Sequence, residues 1–258
     1  MKFLIVLCFA LFACASAQLG RIVGGQATTI EARPYQVSLQ YRSILGTYSH
    51  SCGASIISSK FLLSAAHCAP SASTLPNLYA RVGSTTYNSG GQLIKVNAYV
   101  THPLYSRNTL DYDFAIASFA AGVEITLGSN VQVVQLTSGE NPAVDSSIIV
   151  SGWGVLTESS SSVPTILQEV SLPVWDNARC RSVYSFITDR QICLGGTPAG
   201  GTSACFGDSG GPVVQGTGSS LRQYALVSGG NSCEAPNIPG IYARISSVRP
   251  WITELTGV

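Results

Sequence analysis

One serine of the chain lies in an unusual, glycine-rich sequence setting that suits nucleophilic chemistry. Ser209 lies in Gly207-Asp208-Ser209-Gly210-Gly211-Pro212, where glycines allow tight backbone conformations and leave a hydroxyl accessible. An ordinary Gly-rich turn is the structural alternative. A serine hydroxyl becomes a good nucleophile only when a neighbouring base removes its proton, so a catalytic role for Ser209 requires a histidine.

Of the three histidines in the chain, His67 is the best candidate for that base. It follows the apolar and small residues 61–66 and directly precedes Cys68, so a disulfide could fix its backbone at the edge of a buried strand. His50, in a polar stretch, and His102, before a proline, are interpreted as surface or packing histidines.

A histidine base needs a third group that holds its tautomer and stabilises the imidazolium, and a buried carboxylate serves this purpose. Asp113 directly precedes the apolar run Phe114-Ala115-Ile116, so an acid here abuts a buried strand. The nearby Asp111 is interpreted as a solvated strand end. Ser209, His67 and Asp113 could together carry out nucleophilic attack on a carbonyl.

The elements that must position these residues are predicted to be short strands. Apolar residues make up 45% of the 258 residues and charged residues only 10%, a composition that suits strands and turns better than long surface helices. Repeated short strands indicate an all-β fold of antiparallel sandwiches or barrels. A single helix is predicted at the C-terminus, with Ser247 as its cap and an end before Gly257. The predicted strands are 35–41, 55–57, 93–100, 114–119, 148–150, 169–174, 212–214, 224–227 and 241–245.

The N-terminus has the pattern of an export signal. Met1 and Lys2 supply positive charge, residues 3–13 are nearly all apolar, and Ala15-Ser16-Ala17 fits a small-x-small cleavage site. This run is well short of the roughly 20 apolar residues that span a bilayer. Residues 1–17 are therefore predicted to be a signal peptide, and the protein is predicted to be secreted and extracellular.

Export to an oxidising compartment predicts that cysteines pair. Cys8 and Cys14 belong to the predicted signal peptide, and an even number of cysteines remains when it is removed. The intervals match no CxxC zinc pattern, so disulfides are predicted and a metal site is not. The remaining residues are Cys52, Cys68, Cys180, Cys193, Cys205 and Cys233.

The net charge of +1 comes from scattered residues, and no run of Lys or Arg is present. Nucleic acid and anionic membranes are therefore not expected as partners.

Three segments together resemble the trypsin and chymotrypsin family of serine proteases: Ala65-Ala66-His67-Cys68, Asp113-Phe114-Ala115 and the hexapeptide around Ser209, in that order and at those separations. The similarity extends from Arg21-Ile22-Val23-Gly24-Gly25 to Pro250-Trp251-Ile252 and so covers essentially the whole chain after the signal. Ser151-Gly152-Trp153-Gly154 also fits.

The resemblance implies two six-stranded antiparallel β-barrels with a C-terminal helix, forming a protease domain over residues 22–258 with lobes at roughly 33–130 and 131–245. Ser209 would be the nucleophile, His67 the general base and Asp113 its orienting acid. The backbone amides of Gly207 and Ser209 would form the oxyanion hole. The implied disulfides are Cys52–Cys68, Cys180–Cys193 and Cys205–Cys233.

The resemblance also implies a zymogen with an activation peptide at residues 18–21. Cleavage after Arg21 would free the Ile22 amine, which would insert beside Asp208 and switch the oxyanion loop into shape. The expected partners are an activating protease, protein or peptide substrates and protein inhibitors, and the expected state is a monomer. No cofactor is expected, nor calcium, because residues 82–94 contain no carboxylate.

The specificity pocket implied by the resemblance is neutral. Its base is Ser203, where trypsins have Asp, its wall positions are Gly230 and Gly240, and Ser228 also contributes. This predicts a chymotrypsin-like preference for large apolar residues. Gly229 stands where the family usually has an aromatic residue, and Glu234 could lie near the rim. Cleavage after Arg or Lys, an elastase- or collagenase-like preference, and a non-catalytic homologue acting as a binding protein therefore remain as alternatives.

Overall fold

The computed structural model describes residues 23–258. The predictions for the signal peptide, for residues 18–21 and for the cleavage between Arg21 and Ile22 fall outside the described residues. None of the described helices combines the length and apolar character needed to cross a membrane. The described elements are β1 Gln26–Ala27, β2 Gln36–Arg42, β3 Tyr48–Ile56, β4 Phe61–Ser64, β5 Leu78–Val82, β6 Gln92–Lys95, β7 Ala98–Thr101, β8 Ala115–Ser118, β9 Ser147–Gly152, β10 Gln168–Pro173, α1 Asn177–Val183, β11 Gln191–Gly195, β12 Pro212–Gln215, β13 Arg222–Gly229, β14 Pro239–Arg244 and α2 Arg249–Thr256.

The first sheet is antiparallel and runs in the order β6-β5-β2-β3-β4-β8-β7. Its two edge strands, β6 and β7, are consecutive in the chain, so the sheet closes into a barrel. The sequence predicted one strand over residues 93–100. The structure interrupts it at Val96 and Asn97, whose amides donate to Leu78 on β5 and Ser118 on β8 respectively. The chain changes partner strands there, so one expected barrel strand becomes two.

The second sheet runs β1-β10-β9-β12-β13-β14-β11. Its edge strand β11 returns to the end of β10 through a bridge between Val174 and Leu194, followed by a 2.9 Å bond from the Trp175 amide to the Cys193 carbonyl. The seventh strand is β1, which pairs with β10 although it precedes residue 33. The start of the described chain is thus attached to the second barrel.

The three largest apolar clusters among the described residues lie one inside each barrel and one between the barrels. Val37 and Leu39 contribute to the first interior, and Val150 and Leu172 to the second. The cluster between the barrels draws on both sheets and on α2, with Tyr35, Leu63, Phe114, Leu136, Leu226 and Ile252 among its buried members. The fold is therefore all-β with a C-terminal helix, and its two lobes share a common core.

Two details of the helices differ from the sequence prediction. The short helix α1 was not predicted; it begins after Asp176, whose carboxylate accepts the Arg179 amide at 2.7 Å. The predicted C-terminal helix α2 ends at Gly257 in a left-handed conformation, as glycine permits. Ser247 does not cap it, because its hydroxyl donates to the Arg244 carbonyl at 2.6 Å.

Disulfides attach the segments that carry the site to the barrels. The structure contains the three bonds Cys52–Cys68, Cys180–Cys193 and Cys205–Cys233.

Candidate active site

A histidine and a carboxylate from the first barrel form the centre of the site. His67 lies in a short 3-10 turn after β4, which the Cys52–Cys68 disulfide ties to β3. Asp113 lies just before β8, next to buried Phe114, and is itself fully buried. His67 Nδ1 lies 2.7 Å from Asp113 Oδ2, and the His67 amide donates to Oδ1 at 2.8 Å. Because a carboxylate accepts, Nδ1 carries the proton and Nε2 is left free to act as a base.

A second-barrel serine also bonds to this carboxylate. Ser228, at the end of β13, donates its hydroxyl to Asp113 Oδ2 at 2.5 Å. The carboxylate thus accepts three hydrogen bonds although no solvent reaches it, which compensates for the cost of its burial.

The turn that carries Ser209 packs closely against the first barrel. The Ser209 carbonyl accepts the Gly53 amide at 2.7 Å, and the Gly210 amide donates to the Val227 carbonyl at 2.7 Å. Gly210 has φ +78°, and a Cβ there would lie 2.3 Å from the Ser64 hydroxyl. A side chain at this position would push the serine turn off the barrel, so glycine is required.

The carbonyl of Gly207, an expected oxyanion donor, bonds to His50, which the sequence suggests to be a surface or packing histidine. His50 Nε2 lies 2.8 Å from the Gly207 carbonyl oxygen, and its Nδ1 lies 2.7 Å from the Ser38 hydroxyl. The carbonyl can only accept, so Nε2 carries the proton and Nδ1 accepts from Ser38. Burial lowers the pKa of His50 to about 4, which keeps the ring neutral at neutral pH. The polar neighbours of His50 in the sequence gave no signal for this contact.

Asp208, the residue before the serine, is completely buried. Its carboxylate accepts the Gly154 amide at 2.7 Å and the Cys205 amide at 2.9 Å. Burial raises the pKa of Asp208 to about 6, and these two bonds act against that rise. Val23, the first described residue, is buried in a cluster with Cys205 and Val155, and its carbonyl accepts the Ser203 amide at 3.2 Å. The described N-terminal end therefore lies among the residues that surround Asp208.

A cavity of about 290 Å³ opens beside His67 and Ser209. All four expected pocket residues line it: Ser203, Ser228, Gly230 and Gly240. So do both cysteines of the Cys205–Cys233 disulfide. Ser203 and Ser228 are each 3% exposed and form its inner part, whereas Phe206, 64% exposed, lies at its mouth. Among the described lining residues, the buried inner part of the cavity therefore has hydroxyl groups and no charged side chain.

The space beside Gly229 is occupied from the first barrel. A Cβ built on Gly229 would lie 2.5 Å from Leu110 Cδ1. Leu110 therefore fills part of the volume that a side chain at position 229 would take.

Two acids lie close to the pocket: Glu158, and Glu234, which the sequence suggested near the rim. Glu158 lines it, whereas Glu234 uses its carboxylate to accept the Glu158 amide at 2.8 Å.

Asp111 is not the solvated strand end that the sequence suggested. Arg190 donates to its two carboxylate oxygens at 2.8 and 2.6 Å, and the Thr188 hydroxyl adds a third bond at 2.9 Å. Burial alone would raise the pKa of Asp111, but the bonds from Arg190 and Thr188 hold it below its usual value. This pair connects the loop before Asp113 to the second barrel.

One described group of residues has the spacing of a metal site, but its chemistry does not fit. Cys52, His67 and Cys68 bring their ligand atoms within 4.8 Å of one another. Both cysteines are in a disulfide, so they have no thiolate to offer a metal.

The fold and site together define a class of protein: two antiparallel barrels with a serine, a histidine and an aspartate near a substrate-sized cavity at their junction. This is the architecture of serine-type endopeptidases, which are hydrolases.

Comparisons with known proteins agree with this class of protein and identify the family within it. The model of the Trypsin family matches residues 22–252. The chain is 39% identical to trypsin delta of Drosophila erecta, over 90% of this chain and 87% of that protein. It is 40% identical to trypsin 5G1 of Aedes aegypti, over 93% and 86%. The chain belongs to the trypsin family and is a serine-type endopeptidase.

Proposed function

We propose that the chain is a secreted endopeptidase that cleaves peptide bonds through Ser209, His67 and Asp113, with the oxyanion hole formed by the amides of Gly207 and Ser209. The observation that carries this proposal is the 2.7 Å contact of His67 with buried Asp113, beside the cavity that Ser209 also lines. His67 Nε2 takes the Ser209 proton as the hydroxyl attacks the substrate carbonyl, and then delivers it to the leaving amine. The oxyanion amides stabilise the negative oxygen that forms in between.

The pocket supports a preference for large apolar substrate residues. Among the described residues, its inner part carries the Ser203 and Ser228 hydroxyls and no carboxylate. A Lys or Arg side chain that reached Ser203 would lose its hydration without meeting an opposite charge, at a cost of several kcal/mol. A Phe or Tyr side chain would gain from burial in the same space.

A second specificity is favoured by a separate observation. The relatives reported above are named trypsins, which supports cleavage after Arg or Lys. The neutral base at Ser203 argues against that preference.

Paired peptide substrates separate these possibilities. Peptides that differ only in having Phe or Arg before the cleaved bond would be given to the protein after activation and complete removal of the activator, with Ser209→Ala as the matched control. We expect kcat/KM for the Phe peptide to be at least about tenfold higher, and activity to be lost in Ser209→Ala. A higher value for Arg would refute the apolar preference alone. Hydrolysis of neither peptide would favour a non-catalytic binding protein.

We further propose that the protein is made as a zymogen. Cleavage after Arg21 would free an amine that can pair with Asp208, which is buried and accepts two amides but forms no ion pair with a described residue. Arg21→Gln should remain folded and secreted but inactive after treatment with the activating protease, as judged by peptide hydrolysis and N-terminal sequencing. Full activity of this uncut variant would contradict the zymogen proposal.

A further inference from the structure

The mouth of the substrate cavity carries a fixed negative charge. Among the described residues that line the cavity, Glu158 alone has a carboxylate. It is partly exposed and lines the cavity together with exposed Phe206 and Asn231, whereas the inner Ser203 is buried. The charge therefore lies at the solvent-facing rim, away from the base of the pocket.

Hydrogen bonds orient the Glu158 carboxylate. The Ser232 hydroxyl accepts the amides of Glu234 and Ala235, at 3.1 and 3.0 Å. Its own proton is therefore directed to Glu158 Oε2, at 2.7 Å. The Glu158 amide donates to Glu234 Oε1 at 2.8 Å, which holds the backbone as well. A carboxylate fixed in advance loses little conformational entropy when it binds a cation.

Among the described residues, no basic side chain forms an ion pair with the Glu158 carboxylate. The five ion pairs among the described residues do not include Glu158. Glu158 Oε1 forms no hydrogen bond with any described residue, so it is free to accept one from a ligand.

We propose that Glu158 makes the enzyme prefer substrates with a basic side chain on a residue that flanks the one filling the pocket. This proposal rests on the proposed endopeptidase function. A basic side chain inside the pocket would leave its charge near neutral Ser203, whereas one on a flanking residue can stay hydrated at the rim and still pair with Glu158. Pairs of this partly exposed kind produce modest attractions, at most about fivefold in kcat/KM.

A series of substrate peptides that differ in the position of one basic residue tests this inference. All peptides carry Phe before the cleaved bond. Arg or Gln is placed, one position at a time, at the two positions that precede this Phe and at the two positions that follow the cleaved bond. The ratio of kcat/KM for Arg over Gln is measured for wild type, for Glu158→Gln and for Glu254→Gln. Glu254 is an exposed acid on α2, outside the cavity, and controls for the change in net charge.

We expect an Arg-over-Gln ratio of about twofold to fivefold at one or more flanking positions in wild type and Glu254→Gln, and a ratio near one in Glu158→Gln. In wild type the ratio should also fall by at least about half between roughly 0.05 and 0.5 M salt, which tests the charge without any variant. A ratio near one in wild type, or a ratio that persists in Glu158→Gln, would overturn the inference. Failure of wild type to hydrolyse any of the peptides would instead remove the endopeptidase function on which it rests.

Discussion

Asp113 shows how much of the site depends on one buried side chain. It accepts the His67 ring, the His67 amide and the Ser228 hydroxyl, at 2.7, 2.8 and 2.5 Å. The first two bonds hold the ring orientation and the tautomer that leaves Nε2 available as a base.

Replacing this acceptor by an amide should disable the base without unfolding the chain. In Asp113→Asn the amide nitrogen can donate to His67 Nδ1, which forces the proton onto Nε2. In proteases of this family such a change costs about 10⁴ in kcat. Peptide hydrolysis measures the loss, and Ser228→Ala, which removes one bond and leaves the carboxylate, should lose much less. Equal losses in the two variants would mean that the tautomer is not what Asp113 controls.

His50 predicts a specific sensitivity to acid. Its pKa is lowered from 6.5 to about 4 by burial, so the unfolded chain binds a proton below about pH 6.5 that the folded chain refuses until about pH 4. The free energy of unfolding should therefore fall by about 3 kcal/mol from this group as the pH drops through that window.

Denaturant unfolding at about pH 7 and about pH 4.5 tests this expectation, in a Ser209→Ala background that prevents self-digestion. His50→Gln keeps a donor for the Gly207 carbonyl but does not titrate, so its stability should fall less on acidification. Both proteins retain Asp208, whose own titration cancels in the comparison. An identical fall in both would show that His50 is not the acid-sensitive group.

At the scale of residues, the sequence identified the side chains that have distinctive neighbours in the chain. It missed those whose surroundings depend on contacts with distant residues. The settings of Ser209, His67 and Asp113 could be recognised because each lies beside glycines, a cysteine or an apolar run. His50 and Asp111 have ordinary neighbours in the chain. Their partners, Gly207 and Arg190, are 157 and 79 residues away, so only the fold brings them together.

The loop from Thr109 to Asp113 is the element that carries the greatest conformational cost near the site. Leu110 and Tyr112 both have φ +54°, a region that residues with side chains seldom adopt. The surrounding contacts hold this conformation: Tyr112 stacks on His102 with ring centroids 4.5 Å apart, and Asp111 is bound by Arg190. The loop places Asp113 against His67 only while these contacts persist.

Leu110 and Gly229 should behave as a coupled pair. Gly229→Ala places a Cβ where Leu110 Cδ1 now lies, which should lower stability and kcat/KM by displacing the loop. Leu110→Ala opens that space, so the double variant should recover most of the loss. Thermal unfolding and peptide hydrolysis of the two single variants and the double variant give the coupling energy, expected to be about 1 kcal/mol or more. Additive effects would mean that Leu110 does not fill the space beside Gly229.

The elements predicted from the sequence were mostly those with simple periodicity. Strand β2 alternates apolar and polar residues and could be recognised directly. Helix α1 was missed because its seven residues, Asn177–Val183, carry no apolar stripe, and its formation depends on the Asp176 cap and on the Cys180–Cys193 disulfide. The division of the predicted strand 93–100 arises from a change of partner strand, which no local pattern encodes.

The whole molecule assembles the site from two barrels, with His67 and Asp113 from one and Ser209 from the other. Polar contacts join the lobes beside their shared apolar core. They include the buried bond from the Ser151 hydroxyl to Gln36 at 2.7 Å and the Asp111–Arg190 ion pair. Catalysis therefore depends on how precisely the lobes are aligned.

Removing the bidentate arginine should reveal this dependence. Arg190→Gln leaves Asp111 half-buried without its cation, so we expect a loss of about 1–3 kcal/mol in unfolding free energy together with a lower kcat. Arg181→Gln is the matched control, because its partner Asp189 is 83% exposed and the pair should contribute little. Similar losses in the two variants would argue that the Asp111–Arg190 pair has no special part in joining the lobes.

The account as a whole depends on Ser209 being the activated nucleophile. The most direct measurement is mass spectrometry of the protein, cut after Arg21 and treated with diisopropyl fluorophosphate, which phosphorylates an activated serine hydroxyl with loss of fluoride. One adduct per chain on the peptide that contains Ser209, absent in Ser209→Ala and much slower to form in Asp113→Asn, is the expected result. Peptide hydrolysis that persists in Ser209→Ala, or an adduct on another residue, would contradict the account.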